Sequence, residues 1–149
     1  QTAKRTYYSR DLCISSLNKI CDLCSDIGID LLYKSKRKFG PADDKAFVNT
    51  VSQISQLANI INCAPELSPQ KLVEASDAVI SLPFTSTAVI AQFMGKPTCY
   101  FDISGKLNPS DALANGIPII QSIDELKEWI KENVNTTNQQ RSYVQKCDT

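Results

Sequence analysis

The stretch from Ala75 to Asp102, ASDAVISLPFTSTAVIAQFMGKPTCYFD, carries the clearest structural signal in this chain of 149 residues. Two short apolar runs within it, Ala78 to Leu82 and Thr98 to Phe101, predict two buried strands. Residues 88–94 between them have the apolar spacing of a helix, which Gly95 can end. The segment therefore predicts a strand, a helix and a second strand in succession.

Three adjacent hydroxyl side chains, Thr85, Ser86 and Thr87, fall at the first turn of that predicted helix. The unpaired N–H groups at a helix start and the positive end of the helix dipole both favour a phosphate there. Ser and Thr are also ordinary N-cap residues that need no ligand. The cluster thus predicts either a phosphate site or a simple helix cap, and the chain has no glycine-rich phosphate loop of a standard kind to decide between them.

Apolar runs alternate with helical patterns along the rest of the chain. The runs lack polar alternation, which indicates strands covered on both faces. We therefore expect an α/β fold, a three-layer Rossmann-like open parallel sheet of about five strands with helices on both faces. The predicted strands span residues 29–33, 59–63, 78–82, 98–101 and 117–121, and the predicted helices span 11–27, 43–57, 69–75, 85–94 and 123–134. Ser68 and Ser122 are the predicted N-caps of the third and fifth helices.

Length and charge restrict the class of protein. Residues 1–134 are predicted to form a single domain, and the polar tail, residues 135–149, lacks periodicity and is expected to be disordered. The formal net charge is zero, which gives no electrostatic case for binding nucleic acid. No apolar run approaches the length of a transmembrane helix.

The side chains available for catalysis and metal binding are few. The chain has no histidine, so Ser-His-Asp and Cys-His catalysis are excluded within it, and the sequence assigns no catalytic residue. Cys21 and Cys24 form a CxxC pair, but no second pair accompanies it. We therefore expect the cysteines to be buried free thiols in a reducing compartment, and we expect no metal.

Charged residues follow two of the predicted strands. Lys34, Lys36 and Arg37 come after the first strand, and Asp102 comes after the fourth. Ligands of open parallel sheets bind outside the carboxyl ends of the strands, where these residues and the hydroxyl cluster would share one edge. The cations could neutralise a diphosphate or a carboxylate, or they could form a solvated surface cluster. Asp102 could contact a sugar hydroxyl, but we favour a simpler role at the start of a loop.

Taken together, three segments resemble the nucleotide-binding C-terminal half of GT-B-type glycosyltransferases. They are most similar to bacterial surface-polysaccharide biosynthesis proteins that carry a PFTS motif. The resemblance covers about residues 9–134. The segments that carry it are LLYKSKRK, LVEASDAVISLPFTSTAVIAQFMGKPTCYFD and GIPIIQSIDELKEWI.

This resemblance implies a role for each candidate residue. The hydroxyl cluster 85–87 would hold the phosphates of a nucleotide sugar, which is a substrate rather than a cofactor. Lys34, Lys36 and Arg37 would add positive charge near the sugar phosphate or the acceptor. A GT-B enzyme also needs an N-terminal acceptor-binding domain, so we expect this chain to be a donor-binding fragment without turnover of its own. The implied location is cytoplasmic, or peripheral to the inner membrane through the full-length protein.

Two other functions fit the same sequence. A nucleotide-sugar epimerase of related fold would need paired acid–base carboxylates, for which Glu66 and Asp102 are the candidates. A non-catalytic α/β binding module would need neither.

Overall fold

The described part of the chain forms a sheet of six parallel strands. The structure, a computed structural model, describes residues 10–34, 45–134 and 141–145. The strand order is β2-β1-β6-β3-β4-β5, and every neighbouring pair is parallel. The strands are β1 (Asp30–Lys34), β2 (Ile60–Cys63), β3 (Ala78–Ser81), β4 (Thr98–Phe101), β5 (Ile119–Ile120) and β6 (Arg141–Gln145).

Helices cover both faces of this sheet. The helices are α1 (Arg10–Ile27), α2 (Lys45–Ile54), α3 (Pro69–Ala75), α4 (Ser86–Phe93) and α5 (Ile123–Asn133). On one face α1, α2 and α5 pack on the sheet through a cluster that includes Leu17, Val51, Ile80, Phe101 and Leu126. On the other face α3 and α4 pack through two clusters that include Leu32, Leu72, Val79, Ala88, Ala91 and Tyr100. The predicted three-layer, Rossmann-like architecture is confirmed.

Helix ends follow the sequence signals closely. The predicted cap of α3 is present, because the Lys71 N–H donates to the Ser68 hydroxyl at 3.2 Å. The Glu125 N–H donates to the Ser122 hydroxyl in the same way at the start of α5. Gly28 and Gly95 end α1 and α4 with φ of +76° and +75°, a left-handed conformation that glycine adopts without steric cost.

The prediction of a disordered tail is wrong for Arg141–Gln145. These residues form β6, which pairs with β1 on one side and β3 on the other. Without β6, the five strands that the sequence predicts would form separate groups of two and three. The segment RSYVQ contains no apolar run, and its position as a strand depends on backbone pairing along both edges. The other residues of the tail lie outside the described residues.

The remaining differences concern element boundaries and membrane spans. Lys34 is the last residue of β1 rather than the first residue after it. The predicted helix over 43–57 is present as Lys45–Ile54, and its first two residues lie outside the described residues.

Within the ranges 10–34, 45–134 and 141–145, no helix is long and apolar enough to cross a bilayer.

A candidate anion site at the carboxyl edge of the sheet

The hydroxyl cluster lies at the start of α4, as predicted, but its three side chains differ in hydrogen bonding and in exposure to solvent. Thr85 is the N-cap residue, and its hydroxyl donates to the Leu82 carbonyl at 3.0 Å. Ser86 is exposed to solvent, whereas Thr85 and Thr87 are buried. The Ser86 hydroxyl is therefore the member of the cluster that a ligand from solvent meets first.

The N-terminus of α4 lacks the side-chain cap found at α3 and α5. Thr85 makes no capping hydrogen bond to the helix, although it occupies the N-cap position. Ser68 and Ser122 do cap their helices. No N-cap side chain therefore competes with an anion at the start of α4, as one would at α3 or α5. This geometry favours the phosphate interpretation of the hydroxyl cluster over the simple-cap interpretation.

The turn that leads into α4 contains a residue in an unusual backbone conformation. Phe84 has φ of +63°, which is costly for a side chain with a Cβ and rare for a bulky one. Its ring packs edge-on against Tyr100, with ring centroids 5.5 Å apart and an interplanar angle of 69°. The aromatic contact holds the strained turn against β4.

The predicted cation Lys34 lies on the same face of the sheet as α4. Side chains alternate along a strand, and Leu32 belongs to the cluster under α3 and α4, so Lys34 points to that face as well. Lys34 is only 8% exposed. No carboxylate of a described residue lies within ion-pair distance of its ammonium group. Lys36 and Arg37, the other predicted cations, lie outside the described residues.

Asp102 organises the loop that follows β4. Its carboxylate accepts hydrogen bonds from the Ser104 N–H and hydroxyl, from the Leu107 N–H at 3.0 Å and from the Gln121 amide at 3.1 Å. The residue is 1% exposed. All of these donors belong to the protein itself, which agrees with the loop role that we favoured for Asp102 from the sequence. A sugar contact by Asp102 stays a prediction.

The two carboxylates that an epimerase would use lie far apart. Glu66 follows β2, at one edge of the sheet, while Asp102 follows β4. The order of the strands places four inter-strand spacings between β2 and β4, or roughly 19 Å at about 4.8 Å each. Paired acid–base chemistry on one substrate needs both groups within hydrogen-bond reach of it. The geometry does not bring this candidate pair together.

Sequence reasoning missed Ser81, the last residue of β3. Its side chain lies on the α4 face, it is 2% exposed, and its hydroxyl makes no hydrogen bond. Buried hydroxyl groups are normally paired, so an unpaired one calls for an explanation. The only signal in the sequence is a polar residue at the end of an apolar strand.

Lys96, in the Gly-Lys-Pro turn, has a structural role. Its ammonium donates to the carbonyls of Ser76 at 2.8 Å and Glu74 at 3.2 Å. These carbonyls lie at the end of α3, where a cation is favoured by the helix dipole. Lys96 thereby ties the end of α3 to the turn before β4.

The CxxC cysteines are buried thiols. Cys21 and Cys24 are 2% and 0% exposed, and the cysteines of the described residues form no disulfide. Burial raises the pKa of each thiol to about 12, with smaller contributions from Asp22 at Cys21 and from Cys21 at Cys24. Protonated thiols are poor nucleophiles and poor metal ligands. No cluster of three or more potential metal ligands occurs among the residues that the structure describes.

A cavity of about 350 Å³ lies elsewhere on the molecule, lined by residues of the segment 109–118. This segment leads into the amino end of β5, so the cavity is at the opposite edge of the sheet from the α4 turn. Its lining has one carboxylate, Asp111, which accepts a hydrogen bond from the Leu113 N–H at 2.9 Å. The cavity therefore lacks the free cation that a phosphate ligand would need.

The family of the protein follows from the motif at the α4 turn. Pro83, Phe84, Thr85 and Ser86 spell PFTS. A protein-family model described as "Polysaccharide biosynthesis PFTS motif protein" matches residues 1–130. The chain belongs to this PFTS family. Comparisons with curated proteins and with solved structures gave no match. The predicted resemblance to PFTS proteins is thus confirmed, and it places the chain in polysaccharide biosynthesis.

Proposed function

We propose that this PFTS protein binds a nucleotide sugar and is the donor-binding half of a GT-B-type glycosyltransferase in polysaccharide biosynthesis. The observation that supports this most is the start of α4, which lacks a side-chain cap and directly follows the carboxyl end of β3. Parallel sheets bind nucleotides at this edge, with phosphates at helix N-termini. The nucleotide sugar is a substrate, and the proposal needs no metal.

The site offers three kinds of contact to the donor phosphates. The first-turn N–H groups of α4 and the exposed Ser86 hydroxyl can donate hydrogen bonds. Lys34, on the same face and edge, supplies a positive charge. As the GT-B resemblance implies, we propose that another domain supplies the acceptor site and the catalytic base. We expect the isolated chain to bind the donor without turning it over.

A thermal-shift screen with UDP, GDP, CDP and CMP tests this proposal. A bound nucleotide at a hundredfold excess over its Kd should stabilise the fold by about 2.7 kcal/mol. The change Ser86→Ala should weaken binding by about tenfold, because a hydrogen bond to a charged group is lost. Ser68→Ala is the matched control, since it removes a hydroxyl from the cap of α3 and should lower the Tm without changing affinity. Absence of a shift with every nucleotide would count against donor binding.

A further inference from the structure

The unpaired Ser81 hydroxyl and the Lys34 side chain lie on the same face of the sheet, at its carboxyl edge. Tyr33 of β1 and Ile80 of β3 both pair with Val144 of β6. The next residue on each strand is Lys34 and Ser81, so the two lie at the same level, two strand spacings or about 10 Å apart. Both side chains point to the face that α4 covers.

The Ser81 hydroxyl is costly in the absence of a ligand, and the nearby Lys34 has no carboxylate partner among the described residues. Ser81 is 2% exposed with no hydrogen-bond partner, and Lys34 is 8% exposed with no carboxylate of a described residue in reach. A buried hydroxyl without a partner loses the hydrogen bonds that it made with water, and a hydroxyl and an ammonium are both stabilised by a nearby anion. A single anionic group placed between them would satisfy both.

We propose that Lys34 and Ser81 form a second anion subsite beside the start of α4, so that the accepted donor carries two anionic groups. This inference rests on the proposed function. The start of α4 receives one phosphate, and a second negative group lies over β6 between Lys34 and Ser81. The second group is the other phosphate of a nucleoside diphosphate or the carboxylate of an acidic sugar on a nucleoside monophosphate.

Calorimetric titration with paired ligands tests the subsite. The ligands are UDP against UMP, GDP against GMP, CDP against CMP, and CMP-N-acetylneuraminic acid against CMP. For the base that binds, the two-anion ligand should bind at least about tenfold tighter than the one-anion ligand. Lys34→Met should reduce this preference to less than about twofold, with a smaller loss of affinity for the monophosphate than for the two-anion ligand.

Ser81→Ala provides a second test, in which Tm and affinity are measured together so that a loss of binding caused by misfolding can be recognised. Removal of an unpaired buried hydroxyl should leave the Tm unchanged or raise it, while the affinity for the two-anion ligand falls about tenfold. Ser16→Ala is the matched control, because Ser16 is also 2% exposed with an unpaired hydroxyl but lies on α1, on the other face. Lys106→Met controls for loss of a surface charge after β4.

The outcomes separate this inference from the proposed function. A preference for the diphosphate identifies the second anion as a phosphate, and a preference for the acidic sugar identifies it as a carboxylate. Equal affinities for one-anion and two-anion ligands, or a preference that persists in both Lys34→Met and Ser81→Ala, would overturn the subsite while leaving nucleotide binding intact. Failure of every nucleotide to bind the unmodified chain would overturn the proposed function and the subsite together.

Discussion

The Thr85 hydroxyl donates its hydrogen bond backwards, to the Leu82 carbonyl at 3.0 Å, rather than accepting one from the helix that Thr85 precedes. This bond closes the turn between β3 and α4. It also leaves the start of α4 without the N-cap hydrogen bond that Ser68 and Ser122 supply at other helices. A threonine at an N-cap position thus stabilises the turn and leaves the helix start without a side-chain cap.

Replacement of Thr85 should separate these two roles. Thr85→Val keeps the shape but removes the donor, so the buried Leu82 carbonyl loses its partner and the free energy of unfolding should fall by about 1–3 kcal/mol. Thr85→Ser retains the hydroxyl and should lose much less. Urea denaturation of both variants measures the difference. Equal stability of the valine and serine variants would mean that the hydrogen bond contributes nothing.

The left-handed backbone at Phe84 should reverse the usual ranking of alanine and glycine. Both Phe84→Gly and Phe84→Ala lose the ring contact with Tyr100, so their difference isolates the backbone. At ordinary φ, alanine is the more stabilising because it restricts the unfolded chain. At φ of +63°, we expect the glycine variant to be more stable by about 1 kcal/mol. Thermal unfolding showing the alanine variant to be more stable would contradict the strained turn.

Lys96→Met should destabilise the fold by about 1 kcal/mol. The substitution keeps the apolar stem and removes the ammonium that serves the Ser76 and Glu74 carbonyls, and the half-buried setting reduces the usual value of a charged hydrogen bond. Lys71→Met, at an exposed position on α3, should change stability by less than about 0.5 kcal/mol. Chemical denaturation of the two variants gives the comparison, and similar losses in both would rule out the specific role of Lys96.

The CxxC thiols should resist labelling in the native protein. In a Cys147→Ser background, the half-buried Cys63 should react first with a thiol reagent at pH 8, while Cys21 and Cys24 react only on unfolding. Their folded pKa of about 12 exceeds the ordinary value of 9.0, so the stability they contribute is complete below pH 9 and is lost as the pH rises towards 12. Fast labelling of Cys24 at pH 8 would contradict this burial.

Local patterns predict most of this fold because its signals are short-range. The run Thr98–Phe101 has the predicted bounds, and Ser68 caps α3 as predicted. The strand Arg141–Gln145 escapes prediction because its stabilising partners, β1 and β3, are distant in sequence. A polar five-residue segment carries no local signal of a central strand.

The candidate site also combines features that the local sequence predicts with features that depend on the folded geometry. The sequence places hydroxyls at the start of α4, but it cannot show that Thr85 turns towards Leu82 or that Phe84 is left-handed, because both depend on the geometry of one turn. It does not single out Ser81, whose lack of a partner is visible only when the surrounding groups are in place. Asp102 is the opposite case. Its position after a strand suggests a ligand contact, but its carboxylate accepts hydrogen bonds from Leu107 and Gln121 within the protein.

An NMR titration of backbone amides tests the central claim, donor binding at the α4 turn, most directly. The ¹⁵N-labelled chain is titrated with UDP, GDP or CDP while the amide signals are followed. Donor binding at this turn should shift the amides of Ser86, Thr87 and Ala88 most, with those of Lys34 and Ser81 next. The largest shifts around the cavity of residues 109–118, or no shifts with any of the nucleotides, would contradict it.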